Sequence, residues 1–123
     1  MKNLKLSLLP KTWFIDIDGV ILSHNGHLVN KQSLIKNIDY FFKQIPNDDL
    51  VILITAREKK YKKITEETLK KNRVRFNMII YGVPVGERIL INDQKPGGLK
   101  TAIAINTIRD KFDKIKLVYL KEM

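Results

Sequence analysis

The stretch Thr12-Trp13-Phe14-Ile15-Asp16-Ile17-Asp18-Gly19-Val20 constrains this chain more than any other. A β-prone apolar run ends in two aspartates one residue apart, and glycine follows at once. Valine, isoleucine and aromatic side chains suit a buried strand, whereas Asp and Gly end one. The spacing therefore predicts a strand over residues 12–17, with both carboxylates where it meets its loop. In open α/β sheets that carboxyl edge is where ligands bind. Carboxylates this close repel unless a cation or proton shares the site, which points to a divalent metal and an aspartate available for covalent chemistry. Two plainer readings compete. An Asp-x-Asp-Gly also opens calcium loops, but Val20-Ile21-Leu22 supplies none of the oxygen ligands such a loop needs. The other is an ordinary acidic turn after a strand.

The chain is 123 residues long, 44% hydrophobic and 29% charged, which suits one soluble domain over residues 1–123 with a real core. It contains no cysteine, so disulfides, thiol catalysis and thiolate metal sites are excluded. His24 and His27 alone do not make a zinc site. No apolar run reaches membrane-spanning length and the N-terminus lacks a signal-peptide pattern, so a cytoplasmic protein without a membrane partner is expected. The net charge of +10 raises the question of nucleic acid. Much of that charge is lysine on stretches such as Lys59-Lys60-Tyr61-Lys62-Lys63, which a solvated helix face explains equally well. A phosphate-bearing small molecule is therefore the expected partner ahead of nucleic acid, and a homo-oligomer stays open.

Leu34, Ile38, Phe41, Phe42 and Ile45 recur at helical spacing and predict a helix within Lys31–Ile45. Leu50–Ile54 reads as a strand covered on both faces. A charged helix follows, with Tyr61, Ile64, Thr68 and Leu69 inward. Asn77–Tyr81 and Ile89–Ile91 read as further strands, Thr101–Asn106 as a weaker one, and Lys116–Leu120 as an edge strand bounded by lysines. Strands alternating with helices predict a mostly parallel central sheet. Three apolar strands then end in polar signatures: Asp16/Asp18, Thr55, and Asn92/Asp93. In a parallel sheet these ends share one edge.

These residues carry a resemblance. Phe14–Val20 resembles the first motif of the haloacid dehalogenase superfamily of phosphatases, Ile52-Leu53-Ile54-Thr55-Ala56-Arg57 its second, and Ile89-Leu90-Ile91-Asn92-Asp93 its fourth. The resemblance implies an α/β fold of three layers (α/β/α, Rossmann-like). Only Leu22–Asn30 separates the first strand from its helix, too short for an inserted cap domain. The Asn92–Ala102 segment is similar to small capless members linked to bacterial surface-polysaccharide and sugar-nucleotide synthesis, which implies a sugar phosphate as substrate; the alternatives are a phosphatase of nucleotides or nucleic-acid 3′ ends, favoured by the positive charge, and a binding module of the same fold with weak or no turnover. On this resemblance Asp16 is the nucleophile, Asp18 the acid/base and Thr55 a donor to the phosphoryl group. Mg²⁺ is the cofactor, held by Asp16, Asp18 and Asp93 with Asn92 beside them. Gly19, Ala56, Arg57, Lys95, His24 and His27 flank the substrate. Two departures stand out. Where small relatives often carry Gly-Lys-Pro in the third motif, this chain has Gly82-Val83-Pro84, leaving Arg88, Lys95 or Arg57 to supply the positive charge. The fourth motif has Asn92 before Asp93 where two acids are usual.

Overall fold

A computed structural model describes residues 1–120. Five strands and two helices run in the order β1 (Lys2–Leu6), β2 (Thr12–Asp16), α1 (Ile38–Lys43), β3 (Leu50–Ile54), α2 (Lys62–Lys71), β4 (Met78–Ile80) and β5 (Ile115–Tyr119). Short 3₁₀ turns occupy Gly26–Leu28 and Lys59–Tyr61. Every ladder is parallel, as the alternation of apolar strands and amphipathic helices predicts. The strands nevertheless form two sheets, one in the order β2-β3-β4 and a second of β1 with β5.

The larger sheet aligns Thr12 with Leu50 and Asp16 with Ile54, and Ile52 with Met78 on the other side of β3. One of its faces carries the core: Ile15, Ile17, Val51 and Leu53 pack with Ile38, Phe41 and Ile45 from α1 and its C-terminal end, and with Leu69 from α2. Phe41 is the aromatic hub, edge-on to Trp13 at 5.5 Å and to Phe112 at 5.1 Å. Leu6, Ile115 and Leu117 bring the second sheet into the same core. The Gln44 amide ties α1 to β5, donating to Ile115 O (2.8 Å) and accepting from Leu117 N (2.9 Å). That side chain satisfies backbone groups of β5 which no neighbouring strand meets.

Several expectations require correction. The helix within Lys31–Ile45 spans only Ile38–Lys43, because Asn37 before it adopts a left-handed conformation with φ 77°. Residues 31–36 are drawn instead into contacts with the loop after β2, where Leu22 bridges Leu34 and Ile35 N donates to Ile21 O. Lys116–Leu120 is an edge strand as expected, with bounds Ile115–Tyr119, but its partner is β1, a strand the sequence reading missed, in a separate two-stranded sheet. Ile89–Ile91 and Thr101–Asn106 are not strands; residues 81–114 contain no helix or strand.

Phe14 and Met78, both in register with Ile52, lie on the face of the larger sheet opposite the core, and they are 52% and 48% exposed. Ile89 and Ile91 are exposed as well, at 83% and 91%. Among the described residues the two helices pack on one face of the larger sheet, and the architecture is mixed α/β with parallel strands in two sheets.

At the amino end of the larger sheet, buried Asp49 accepts from Lys11 N (3.0 Å) and from Trp13 Nε1 (2.8 Å). Arg75 donates to the carbonyls of Pro46, Asn47 and Asp49. Asp49 thus fixes the start of β2 against the start of β3. Replacing it with alanine leaves two donors without their acceptor and is expected to cost about 1–3 kcal/mol. Urea unfolding measures this, and a loss under 0.5 kcal/mol would refute the role.

Candidate active site

The carboxyl ends of β2 and β3 lie side by side, because their parallel register sets Asp16 against Ile54. The chain leaves β2 through Ile17, whose N–H still donates to Ile54 O (3.0 Å), and reaches Asp18 and Gly19. Gly19 has φ +81°, a conformation that penalises any side chain, and its Cβ position lies 3.4 Å from Arg109. Its N–H donates to Leu22 O (2.8 Å), while its carbonyl accepts from Asp110 N (2.9 Å). The turn therefore folds back at once and is pinned by a residue from far along the chain. Asp110 also accepts from His24 N at 2.8 Å.

Asp18 is the centre of a dense polar network. Its Oδ2 accepts from Thr55 Oγ1 (2.7 Å) and its Oδ1 from Arg57 Nε (2.9 Å). The Arg57 side chain is 1% exposed and that of Asp18 14%, so this is a buried ion pair with one open side. Arg57 Nη1 donates to Gln32 Oε1 and to Thr65 Oγ1 (2.9 Å), and its backbone N–H donates to Thr55 Oγ1 (3.0 Å). Gln32, Thr65 and Asp110 were not candidates from sequence. They are common polar residues with no motif around them, and only the folded chain brings them to Asp18 and its loop.

Thr55 is fully buried and gives its hydroxyl hydrogen to Asp18. Arg57 is buried as well, with its guanidinium held against Asp18. Ala56 between them is exposed.

Asp16 is half-buried. Burial raises its carboxyl above the ordinary aspartate value; the charge of Asp18 adds to the effect, while Arg88, a backbone hydrogen bond from Ile17 and His24 oppose it. Of the basic residues considered for the missing lysine, Arg88 is the one whose charge acts most strongly on Asp16. It extends from the loop after β4, where its Nη1 donates to Pro84 O (2.8 Å) and Gly86 O (2.6 Å). The Gly82-Val83 step lies directly against the site, with Gly82 N donating to Arg57 O (2.9 Å) and Val83 N to Thr55 O (3.1 Å).

The His27 side chain is buried beside Asp18, only 6% exposed. Its Nδ1 is 3.9 Å from Asp18 Oδ1, beyond hydrogen-bond range, and its ring meets Tyr61 edge-on at 4.6 Å. Burial and the charge of Arg57 lower its pKa, against the pull of Asp18, so the imidazole is neutral at physiological pH. Gly26 shapes this turn, since a Cβ there would come within 2.5 Å of Lys31 O.

The fourth-motif residues do not join this cluster. Asn92 and Asp93 lie in an exposed loop closed on itself: Asn92 Nδ2 donates to Thr101 O (3.2 Å), Thr101 Oγ1 donates to Asp93 O, and Lys95 N donates to Leu99 O (2.9 Å). Without a strand at Ile89–Ile91, nothing carries Asp93 to the edge where Asp16 ends. Lys95 belongs to the same exposed loop. Among the described residues no group of three or more His, Asp or Glu side chains is arranged to hold a metal ion, and no helix is long and apolar enough to cross a membrane.

No protein-family model matches the chain, and no curated protein or solved structure matches it.

Proposed function

We propose that this protein is a Mg²⁺-dependent phosphatase that hydrolyses a phosphomonoester through an aspartyl-phosphate on Asp16, in the manner of the haloacid dehalogenase superfamily. The observation that carries the reading is the pairing of a half-buried strand-end carboxylate, Asp16, with a second carboxylate, Asp18, held in place by Thr55 and Arg57. An Asp16 oxygen attacks phosphorus as the bond from phosphorus to the leaving oxygen breaks, and Asp18 gives that oxygen its proton. Water then attacks the same phosphorus and passes a proton back to Asp18, while the bond to Asp16 breaks and inorganic phosphate leaves. Two of the roughly four acceptor positions of Asp18 are occupied by Thr55 and Arg57, which leaves room for this exchange. Arg88 contributes positive charge where the phosphate would approach.

The donor set fits Mg²⁺ in one respect: the charged form of Asp16 is disfavoured by burial and by Asp18, and a cation would relieve both. Mg²⁺ commonly uses one or two carboxylates together with water and phosphate oxygens. Asp16 would hold it with Asp18 alongside, and when bound it would neutralise phosphate charge.

One observation favours a second reading, a phosphate-binding module without turnover. Thr55 is committed to Asp18, and Val83 stands where the superfamily has lysine. Phosphate release from a panel of sugar phosphates, nucleotides and end-phosphorylated oligonucleotides separates the two. The hydrolase reading expects release with Mg²⁺ that a chelator abolishes. No release from any member, with phosphate binding retained, would replace it with the module.

A further inference from the structure

The charge of this chain is concentrated beside the candidate site. Residues 57–75 contain nine Lys or Arg against three Glu, so six of the ten net positive charges lie in 19 residues. This is the segment that begins at Arg57 and forms the 3₁₀ turn and α2. Lys59, Lys60, Lys62, Lys63 and Lys70 line one shallow depression, with Glu66 and Glu67 in it. Glu66 is engaged there by the Tyr81 hydroxyl at 3.1 Å. The five lysines are all exposed.

An unbroken series of contacts joins this surface to Asp18. Lys60 Nζ lies 5.3 Å from the centre of the Tyr61 ring, Tyr61 meets the His27 ring at 4.6 Å, and His27 Nδ1 is 3.9 Å from Asp18 Oδ1. The series thus runs inward, from exposed lysine through the partly exposed Tyr61 ring to the buried His27 ring and Asp18. A lone solvated lysine helix would have no reason to begin beside a partly exposed aromatic ring that packs edge-on against the histidine next to Asp18.

We propose that this face binds single-stranded nucleic acid, with the backbone phosphates on the lysines of the 3₁₀ turn and α2 and a base against the Tyr61 ring. Such binding combines a basic track with aromatic surfaces that accept any base. A lipid surface fits less well. An interfacial helix needs large apolar residues to insert, but Leu69 of α2 is buried in the core and Ile64 is the one large apolar side chain the helix exposes. A duplex fits less well too, because its stacked bases are not free to meet Tyr61. The binding face stands independently of turnover. The further step, that a terminal phosphate of the bound strand enters the Asp16 site, rests on the hydrolase reading above.

The test is fluorescence anisotropy with a labelled ten-nucleotide deoxythymidine oligomer, using Asp16→Asn protein so that no hydrolysis intervenes. Binding is expected at 50 mM salt, weakening with a logarithmic slope near −2 as salt rises, the value for about three neutralised phosphates. Joint reversal of Lys59, Lys60, Lys62 and Lys63 to Glu should weaken binding by about tenfold or more and flatten that slope. Tyr61→Ala should weaken it by roughly fivefold or more with the slope retained, and Tyr61→Phe should restore it. The proposal falls if the oligomer does not bind at 50 mM salt, if the lysine reversal leaves binding unchanged, or if Tyr61→Ala has no effect. Equal or tighter binding to phosphatidylserine vesicles would overturn it in favour of a membrane surface. Loss of hydrolysis alone, with these binding results intact, would count against the phosphatase and not against the binding face.

Discussion

Replacing Arg57 with methionine is expected to destabilise the protein by about 3 kcal/mol, the low end for removing one partner of a buried ion pair. The low end applies because the Asp18 side chain keeps 14% exposure and so retains some solvation once its partner is gone. The loss has two parts. Asp18 Oδ1 loses its charge-assisted donor, and Thr65 Oγ1 and Gln32 Oε1 lose theirs in a region where Thr65 is fully buried. Lysine keeps the charge but has a single nitrogen, which cannot meet Asp18, Gln32 and Thr65 together, so Arg57→Lys should fall between wild type and methionine. A companion Asp18→Leu substitution in the methionine background should recover part of the loss, because the uncompensated carboxylate is then absent. Urea unfolding of the four proteins reads all of this. If Arg57→Met costs less than 1 kcal/mol, or the double variant is no more stable than Arg57→Met, the guanidinium does not secure Asp18 as described.

What the sequence made legible follows the range of the interactions involved. β2, β3, α2 and β4 were each readable, since a run such as Leu50–Ile54 encodes burial within a few residues, but the inner face of α2 was misread: Leu69 is buried as expected, while Thr65 is buried beside it and Ile64 is exposed. Ile89–Ile91 has the same apolar, β-prone composition and is not a strand, because a strand exists only where a neighbour supplies its hydrogen bonds. β1 and β5 pair across more than 100 residues, Lys2 with Ile115, and nothing local in Lys2–Leu6 announces that partner. The site divides the same way. Asp16, Asp18, Thr55 and Arg57 were legible as neighbours because they end two adjacent parallel strands. Their division of labour was not. That Arg57 faces Asp18, and that Thr55 spends its hydroxyl hydrogen there, depends on Gln32 and Thr65 arriving from other elements. Asp49, just before β3, is a buried acceptor for Lys11 and Trp13, a role that no local pattern announces.

Asp16→Asn is expected to move stability and turnover in opposite directions. Burial, reinforced by the charge of Asp18, raises the carboxyl of Asp16 above its unfolded value of 3.8. The folded state therefore takes up a proton that the unfolded state does not, in the window between 3.8 and the raised value. The contribution of this group to stability is fully present below 3.8 and is lost as pH rises through the raised value, so at neutral pH the ionised side chain is a net cost. Asparagine carries no charge to desolvate. In metal-free buffer the variant should melt above wild type at pH 7, with the gap narrowing as pH falls through that window. Chelation matters, because a bound cation would stabilise the ionised wild type and hide the difference. Turnover should fall by several orders of magnitude, as when a nucleophile is removed, since an amide cannot replace the attacking carboxylate. A residue that costs stability and is needed for activity is the pattern expected where function overrides packing. Thermal melts at pH 4 and pH 7 with parallel phosphate-release assays decide the matter. A variant less stable than wild type at pH 7 would show that Asp16 serves the fold, and retained phosphate release would remove it as the nucleophile.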